Sequence, residues 1–438
     1  MPNQPLQNES AGTILILTGV IASFLFVNPI SKGVTGQENR ERFRFDFGPG
    51  NVAENYDQIL PATNYTPERG YGFEPGSAVE AIDRGGKNVL RNDFVTSSQP
   101  FFFSVKLPEG NYRVTMTFGD ADEVSNATVK AELRRLMLEK VHTSIGEFAT
   151  RSIVVNIRTP RIGGDGLVRL KDRERTSEAA AWDDKLTLEF NGDRPCLCAM
   201  EIERADDIPT VFLLGDSTVC DQPNEPWNSW GQMLTRFFKP QVAVANHAES
   251  GESLRSSLGA GRFRKVWSEA KPGDYLFIQF GHNDMKSRDS DALEQYKNQL
   301  KAVVREAKKR GVTAVLITSM ERKSGVEQVT LGDYPATVRD VAVEGEATMI
   351  DLHAMSKILY RTLGPDLGKA FQDGTHHVAY GSYQLAKCVV QGIIDNKLEL
   401  ADFIVDDFSG YNPAHPDPVD GFDIPASPIS SVVKPLGN

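Results

Sequence analysis

The chain has 438 residues, 40% of them hydrophobic and 24% charged, which supports buried cores and excludes an intrinsically disordered polymer. A net charge of −11 argues against a dedicated nucleic-acid binder, which needs a basic face. The length suggests two or three domains at roughly 150 residues each, and four cysteines are too few for a disulfide framework, so they read as free thiols or at most one incidental bridge.

The first feature in chain order is AGTILILTGVIASFLFVN (11–28), almost wholly apolar and without charge. At about 18 residues it is long for a signal-peptide core and short for a membrane span. It has no amphipathic period, which weighs against an internal core helix. Residues 1–40 therefore read as an export signal, or an uncleaved N-terminal anchor, plus linker. The remainder is expected outside the cytoplasm, with membrane contact only through such an anchor.

From 41 to 205 the chain reads as short strands with turn signals, the pattern of an antiparallel β-sandwich. ERFRFDFG (41–48) alternates Phe43, Phe45 and Phe47 with charges. FFFSVKL and YRVTMTFGD form a hairpin pattern over 101–120, and RSIVVNIRT (151–159), DKLTLEF (184–190) and CLCAMEIE from Cys196 are further strands. KAELRRLMLEKV (130–141) reads as one helical interruption. DADE (120–123) and GGDG (163–166) read as acidic surface loops. Arg204–Pro209 is the expected linker.

Residues 209–405 have a different texture. VFLLG (211–215), QVAVAN (241–246), YLFIQF (275–280), VTAVLITS (312–319) and TMIDL (348–352) are apolar on both faces. Helical stretches separate them, which predicts a three-layer α/β/α domain with a parallel sheet. The 292–311 segment places Leu293, Tyr296, Leu300, Val303, Val304 and Ala307 on one helical face. A last helix is expected over Ser382–Asp395. Residues 406–438 form a Pro-rich tail expected to wrap the surface as irregular chain.

Polar residues follow three apolar runs directly, and open parallel sheets place their sites at such carboxyl ends. VFLLGDSTV sets Ser217 there, VAVANHAESGES sets Gly251, and YLFIQFGHND sets Asn283. DGTHH places Asp373 and His376 in a loop before the last helix. These parts suit acyl transfer. A serine hydroxyl needs a neutral imidazole to take its proton, and Asp373 can fix the tautomer of His376. The backbone N–H groups of Ser217 and Gly251 and the Asn283 amide can face an oxyanion. Asp-x-x-His spacing favours His376 over His377 as the base. Each triplet alone is a weak signal; four in this order are not.

The set GDSTV, ESGES, GHND and DGTHH resembles the four blocks of the SGNH (GDSL-type) hydrolase superfamily. The Gly-Asp-Ser-Thr-Val form is similar to the rhamnogalacturonan acetylesterase group, carbohydrate esterase family twelve. The resemblance implies a flavodoxin-like hydrolase domain behind a galactose-binding-like sandwich. It implies that Ser217 is the nucleophile, that Asp373 and His376 complete the triad, and that Gly251 and Asn283 complete the oxyanion hole. It implies no metal, and no cofactor is expected; metal-ligand spacing of the HExxH kind is also missing. The expected function is an exported serine carbohydrate esterase removing O-acetyl groups from pectic polysaccharide, with rhamnogalacturonan the expected substrate and acetylated plant cell-wall polysaccharide the expected partner. The alternatives are an acetylxylan esterase, a lipase-like relative, or a non-catalytic carbohydrate-binding protein.

Trp227, His282 and Arg255 are the candidates for substrate binding. Trp227 offers an aromatic face to a sugar, whereas Trp230 reads as core packing. His282 and His247 flank strand ends, with cleft-lining and structural readings both open. His353 reads as a core or loop residue. Arg255, Arg262, Arg264 and Lys265 read as a solvated helix face, with carboxylate recognition the sharper alternative.

Overall fold

The computed structural model describes residues 42–164 and 166–436. The apolar run at 11–28, and the export reading with it, lies outside them. In the strand Arg42–Phe47, Phe43, Phe45 and Phe47 point into the core between two sheets, and Phe45 and Phe47 meet Phe103 at ring distances of 5.3 and 5.2 Å. Edge-on aromatic contacts of this kind add to the burial of the rings themselves. One sheet has seven strands and the other five. Pairing is antiparallel, except that Arg42–Phe47 runs parallel to Asp57–Ile59.

The expected helix over 130–141 is instead the tip and return strand of a hairpin, Ser125–Ala131 paired with Arg135–Thr143. Its turn places Glu132 and Arg134 at φ 57° and 64°, a conformation no helix contains. The helical spacing of Leu133, Leu136 and Met137 has another cause. Leu136 enters the core of the α/β half beside Trp230 and Met233, while Met137 joins the sandwich core. Residues around the turn also bond across the boundary between the halves. Gln232 Nε2 donates to the Leu133 carbonyl at 2.6 Å, Thr235 Oγ1 to the Leu136 carbonyl at 2.7 Å, and Arg135 pairs with buried Asp221 at 3.1 Å.

The five runs of the α/β half form one parallel sheet. In chain order its strands are Thr210–Gly215, Ala243–Asn246, Tyr275–Gln279, Thr313–Ile317 and Thr348–Ile350. Across the sheet they lie in the order second, first, third, fourth, fifth. Val211 and Leu213 enter the core on one face, Phe212 and Leu214 the core on the other. That double burial is why these strands are apolar throughout. The first helix of the 292–311 segment spans Ala292–Lys309 and buries Tyr296, Leu300, Val303, Val304 and Ala307. The last helix begins earlier than expected, at Ala379, and ends at Asp395. Chain connection reverses direction between the strands Thr210–Gly215 and Tyr275–Gln279, the switch point at which such sheets place their sites.

Two charge readings are corrected by packing. Arg262 and Lys265 do not form a solvated face; Arg264 and Arg255 do stay exposed. Arg262 is 0% exposed and makes a two-pronged pair with Glu174 at 2.9 and 2.7 Å, while Trp182 Nε1 donates to the same carboxylate at 2.9 Å. Lys265 sits between Glu109 and Glu269 at 2.5 Å from each. The partners Glu174 and Glu109 belong to the segment preceding the linker, so nothing near Arg262 in sequence announces them. Likewise Asp120 of the DADE run is buried and accepts from Arg84 and Arg194. All four cysteines are free and buried. The tail has no strand or α-helix among its described residues, but it is tied down: Lys130 Nζ donates to the Pro425 carbonyl and Ser427 Oγ, each at 2.7 Å. The described residues form one compact unit.

Removing one member of a buried pair strands the other's charge, at a cost of about 3–5 kcal/mol. Arg262→Met is therefore expected to lower unfolding free energy by that amount in urea titration. Adding Glu174→Met to it should recover most of the loss. A single variant within about 1 kcal/mol of the parent contradicts the latch between the two halves.

Candidate active site

Ser217 follows the strand Thr210–Gly215 at its carboxyl end, and the turn there is tight. A Cβ on Gly215 would lie 2.8 Å from the Gln279 carbonyl, so only glycine lets the chain leave the sheet at this point. Asp216 caps the turn: its Oδ1 accepts from Thr218 N–H at 2.9 Å and Thr218 Oγ1 at 2.7 Å. The loop before the helix Ala379–Asp395 brings His376 across, with Nε2 2.9 Å from Ser217 Oγ. On the other side of the ring, Nδ1 lies 2.9 Å from Asp373 Oδ2. Asp373 Oδ1 accepts the backbone N–H groups of Thr375 and His376, both at 2.7 Å. Burial raises the Asp373 carboxyl, but the His376 ring and those backbone donors outweigh it and hold the group below its usual range. An ionised Asp373 keeps the proton of the ring on Nδ1, which leaves Nε2 to accept from the serine hydroxyl. Ser217 and His376 are 2% and 1% exposed.

The neighbouring loops supply donors. Past the ends of paired strands, His247 N–H bonds to the Leu213 carbonyl at 2.9 Å and Glu249 N–H to the Gly215 carbonyl at 3.1 Å. This extension carries Ser250 and Gly251 alongside Asp216 and Ser217. Gly251 sits at φ 77°, where a side chain is strained. Among the described residues, no acceptor takes the backbone N–H of Ser217 or of Gly251. Asn283 Nδ2 donates to the Glu252 carbonyl at 3.0 Å and its Oδ1 accepts from Lys286 at 2.9 Å. The amide nitrogen carries two hydrogens, so that contact occupies one. The arrangement can move a proton from a hydroxyl to an imidazole and can surround a developing oxyanion with N–H groups.

The three candidates for substrate contact divide. Arg255 stays exposed at the rim, paired with Asp289 at 3.1 Å, and lines a groove of about 310 Å³ with Asn283 and Lys286. Trp227 is buried edge-on to the His376 ring at 5.6 Å, its Nε1 donating to the Ser431 carbonyl at 2.8 Å. It packs against His376 rather than offering an open face to a sugar. His282 is corrected: it is buried, with Nδ1 3.3 Å from Asp216 Oδ2 and Nε2 3.0 Å from the Met320 carbonyl, so both nitrogens face the protein interior. His247 too is internal, packed between Trp182 and Phe212. His353 lies in the first turn of the helix Leu352–Leu363, not in a loop, and is tied to Glu321 at 3.2 Å. Trp230 is core, with Nε1 donating to Gln279 Oε1 at 2.8 Å.

Other residues at the site carry no local sequence signal. Gln222 Nε2 donates to the Ser217 carbonyl at 2.7 Å and to Ser250 Oγ at 3.2 Å, tying two strand-end loops together. Lys171, Gly251, Asn283, Lys286 and Leu436 line a groove of about 380 Å³. Arg173, Trp227, Ser250 and Lys434 contribute to another of about 240 Å³. Lys434 Nζ lies 3.5 Å from Asp373 Oδ2, so the tail crosses the site instead of only wrapping the surface. Among the described residues, no group of three His, Cys, Asp or Glu is placed to hold a metal ion.

Asp284 beside Asn283 is buried; its Oδ1 accepts from Leu254 N–H at 2.9 Å, and Oδ2 has no hydrogen-bond partner. Burial pushes this carboxyl up to about 7, against the Leu254 bond and with the help of the Asp216 charge. A folded-state value above the unfolded one means that stability is full below about pH 4 and is lost as pH rises through about 7. Asp284→Asn is therefore expected to stabilise the protein at pH 8, by up to about 4 kcal/mol. The gain should fade toward pH 4. Equal or lower thermal stability of the variant at pH 8 contradicts the assignment.

Residues 213–381 match the GDSL-like lipase/acylhydrolase family, and residues 43–147 match the β-agarase/YXIM esterase-like, galactose-binding domain-like family. The rhamnogalacturonan acetylesterase RhgT of Bacillus subtilis (strain 168) is 35% identical over 217 residues, covering 44% of this chain and 94% of that protein. The uncharacterized esterase YxiM of the same strain is 28% identical over 377 residues, covering 80% of this chain and 90% of its own. The crystal structure of YXIM from Bacillus subtilis aligns over 82% of this chain and 99% of that one, at 24% identity and a TM-score of 0.43. With its relay at the strand ends and its sandwich in front, the chain belongs to the GDSL-like (SGNH) lipase/acylhydrolase family, joined to a galactose-binding-like domain.

Proposed function

We propose that this chain is an exported serine carbohydrate esterase that removes O-acetyl groups from pectic polysaccharide, with rhamnogalacturonan as its substrate. The observation that carries this reading is the relay from Asp373 through His376 to Ser217, at 2.9 Å for each contact of the ring. Similarity to a rhamnogalacturonan acetylesterase supports the substrate. So does the lining of the grooves beside the relay, where Lys286 and Lys434 suit a polymer that carries carboxylates. A long acyl chain would need an apolar wall in their place. The apolar run at 11–28 supports export.

Ser217 Oγ attacks the acetyl carbonyl as its proton passes to His376 Nε2. The carbonyl oxygen takes the negative charge and lies among the Ser217 N–H, the Gly251 N–H and the Asn283 amide. Collapse breaks the bond to the sugar oxygen, which leaves with the proton from His376. Water then gives a proton to the same nitrogen and attacks the acetyl-serine. The second collapse frees acetate and returns the proton to Ser217. Asp373 stays ionised throughout and stabilises the imidazolium formed in each step.

Ser217→Ala should lower acetate release from acetylated rhamnogalacturonan by at least about 10³-fold while the thermal transition stays in place. Parallel assays on acetylxylan and a long-chain ester test the substrate. Parental activity in the variant, or a preference for the long-chain ester, contradicts the proposal.

A further inference from the structure

Two cations from the sandwich side of the chain converge on one carbonyl at the site. Lys171 Nζ and an Arg173 guanidinium nitrogen both donate to the Ser250 carbonyl oxygen, at 2.6 and 2.5 Å. That oxygen and the Gly251 N–H belong to the same planar peptide unit. Their bonds point in opposite directions across it. Holding the oxygen on the sandwich side therefore aims the N–H away from it. We propose that Lys171 and Arg173 are positioning residues for the oxyanion hole, locking the Ser250–Gly251 peptide so that its N–H faces the acetyl oxygen.

The surroundings fit a fixed clamp rather than a pair of free surface cations. Lys171 Nζ is 3.0 Å from Glu252 Oε1, Arg173 pairs with Glu249, and Arg173 Nε is 3.3 Å from Glu178 Oε1. Glu249 and Glu252 flank the peptide and are buried, so they hold the cations over its carbonyl. Gly251 is at φ 77°, and a glycine in that region has several backbone states of similar energy. Charge-assisted bonds are roughly twice as strong as neutral ones and also polarise the peptide, making its N–H a better donor. The galactose-binding-like half thereby completes the reaction machinery of the other half.

This inference rests on the esterase reading, and the experiment separates the two. The full chain is assayed on p-nitrophenyl acetate as parent, Ser217→Ala, Lys171→Met, Arg173→Met, the double Met variant, and the pair Lys171→Arg with Arg173→Lys. Losing a whole oxyanion donor costs about 10²–10³ in rate, so a donor left in place but unaimed should cost the double variant about tenfold to hundredfold in kcat. KM should stay within about twofold, and the charge-conserving pair should recover most of kcat. If the double variant does not fold, Lys171→Met, whose side chain reaches solvent, carries the test through the same split between kcat and KM. Parental kcat with a raised KM overturns the clamp, since the hole would then work without it. Parental values of both overturn it as well. An active Ser217→Ala instead overturns the esterase reading itself.

Discussion

The parallel register of the central sheet is the constraint on which the site depends. It sets Gly215 opposite Gln279 and Leu213 opposite Asn246, so three strands end at one level. Each strand then releases a short polar loop into the same space, and the switch in strand order leaves a crevice there for the ring of His376. The elements are apolar on both faces because helices and the sandwich cover them. Their stiffness is what keeps an Oγ and an Nε2 from loops 159 residues apart at 2.9 Å. Preorganisation of this kind removes the reorganisation cost that water would impose on each step.

The sandwich is built into this arrangement rather than tethered to it. Its 125–143 hairpin inserts Leu136 into the core of the α/β half, and Arg135 meets Asp221 just past the Ser217 turn. The segment before the linker sends Glu174 to Arg262 and Lys171 and Arg173 to Ser250. Buried ion pairs of this type contribute little net stability compared with apolar packing, yet they penalise misalignment heavily. Their placement beside Gly251 couples correct docking of the two halves to the shape of the proposed oxyanion hole.

The fold class was legible because its signals are local. Period-two alternation at Phe43, Phe45 and Phe47 marks a half-buried strand, and five runs without alternation mark a sheet covered on both sides. Asp373 and His376 were legible as a pair because three residues of turn suffice to bring them together. What escaped depends on partners distant in sequence. Leu133, Leu136 and Met137 carry helical spacing, but two residues with positive φ turn the chain into a hairpin. Arg262 and Lys265 resemble any exposed basic run until Glu174 and Glu109 cover them. His282 lies next to Asn283 yet turns inward, because Asp216 and the Met320 carbonyl hold both of its nitrogens. Lys171, Arg173 and Lys434 belong to no motif, and only folding brings them to the strand ends.

The proposed mechanism requires that one serine among all those in the chain is activated by its surroundings. A fluorophosphonate reacts with a hydroxyl whose proton an adjacent imidazole can take, and the phosphonyl oxygen needs the same N–H donors as an acetyl oxygen. Brief labelling of the native protein, followed by peptide mass spectrometry, reads this out residue by residue. The expected result is a single adduct on Ser217 that is lost when the protein is unfolded first. An adduct on a different serine, or none on the native protein, contradicts it.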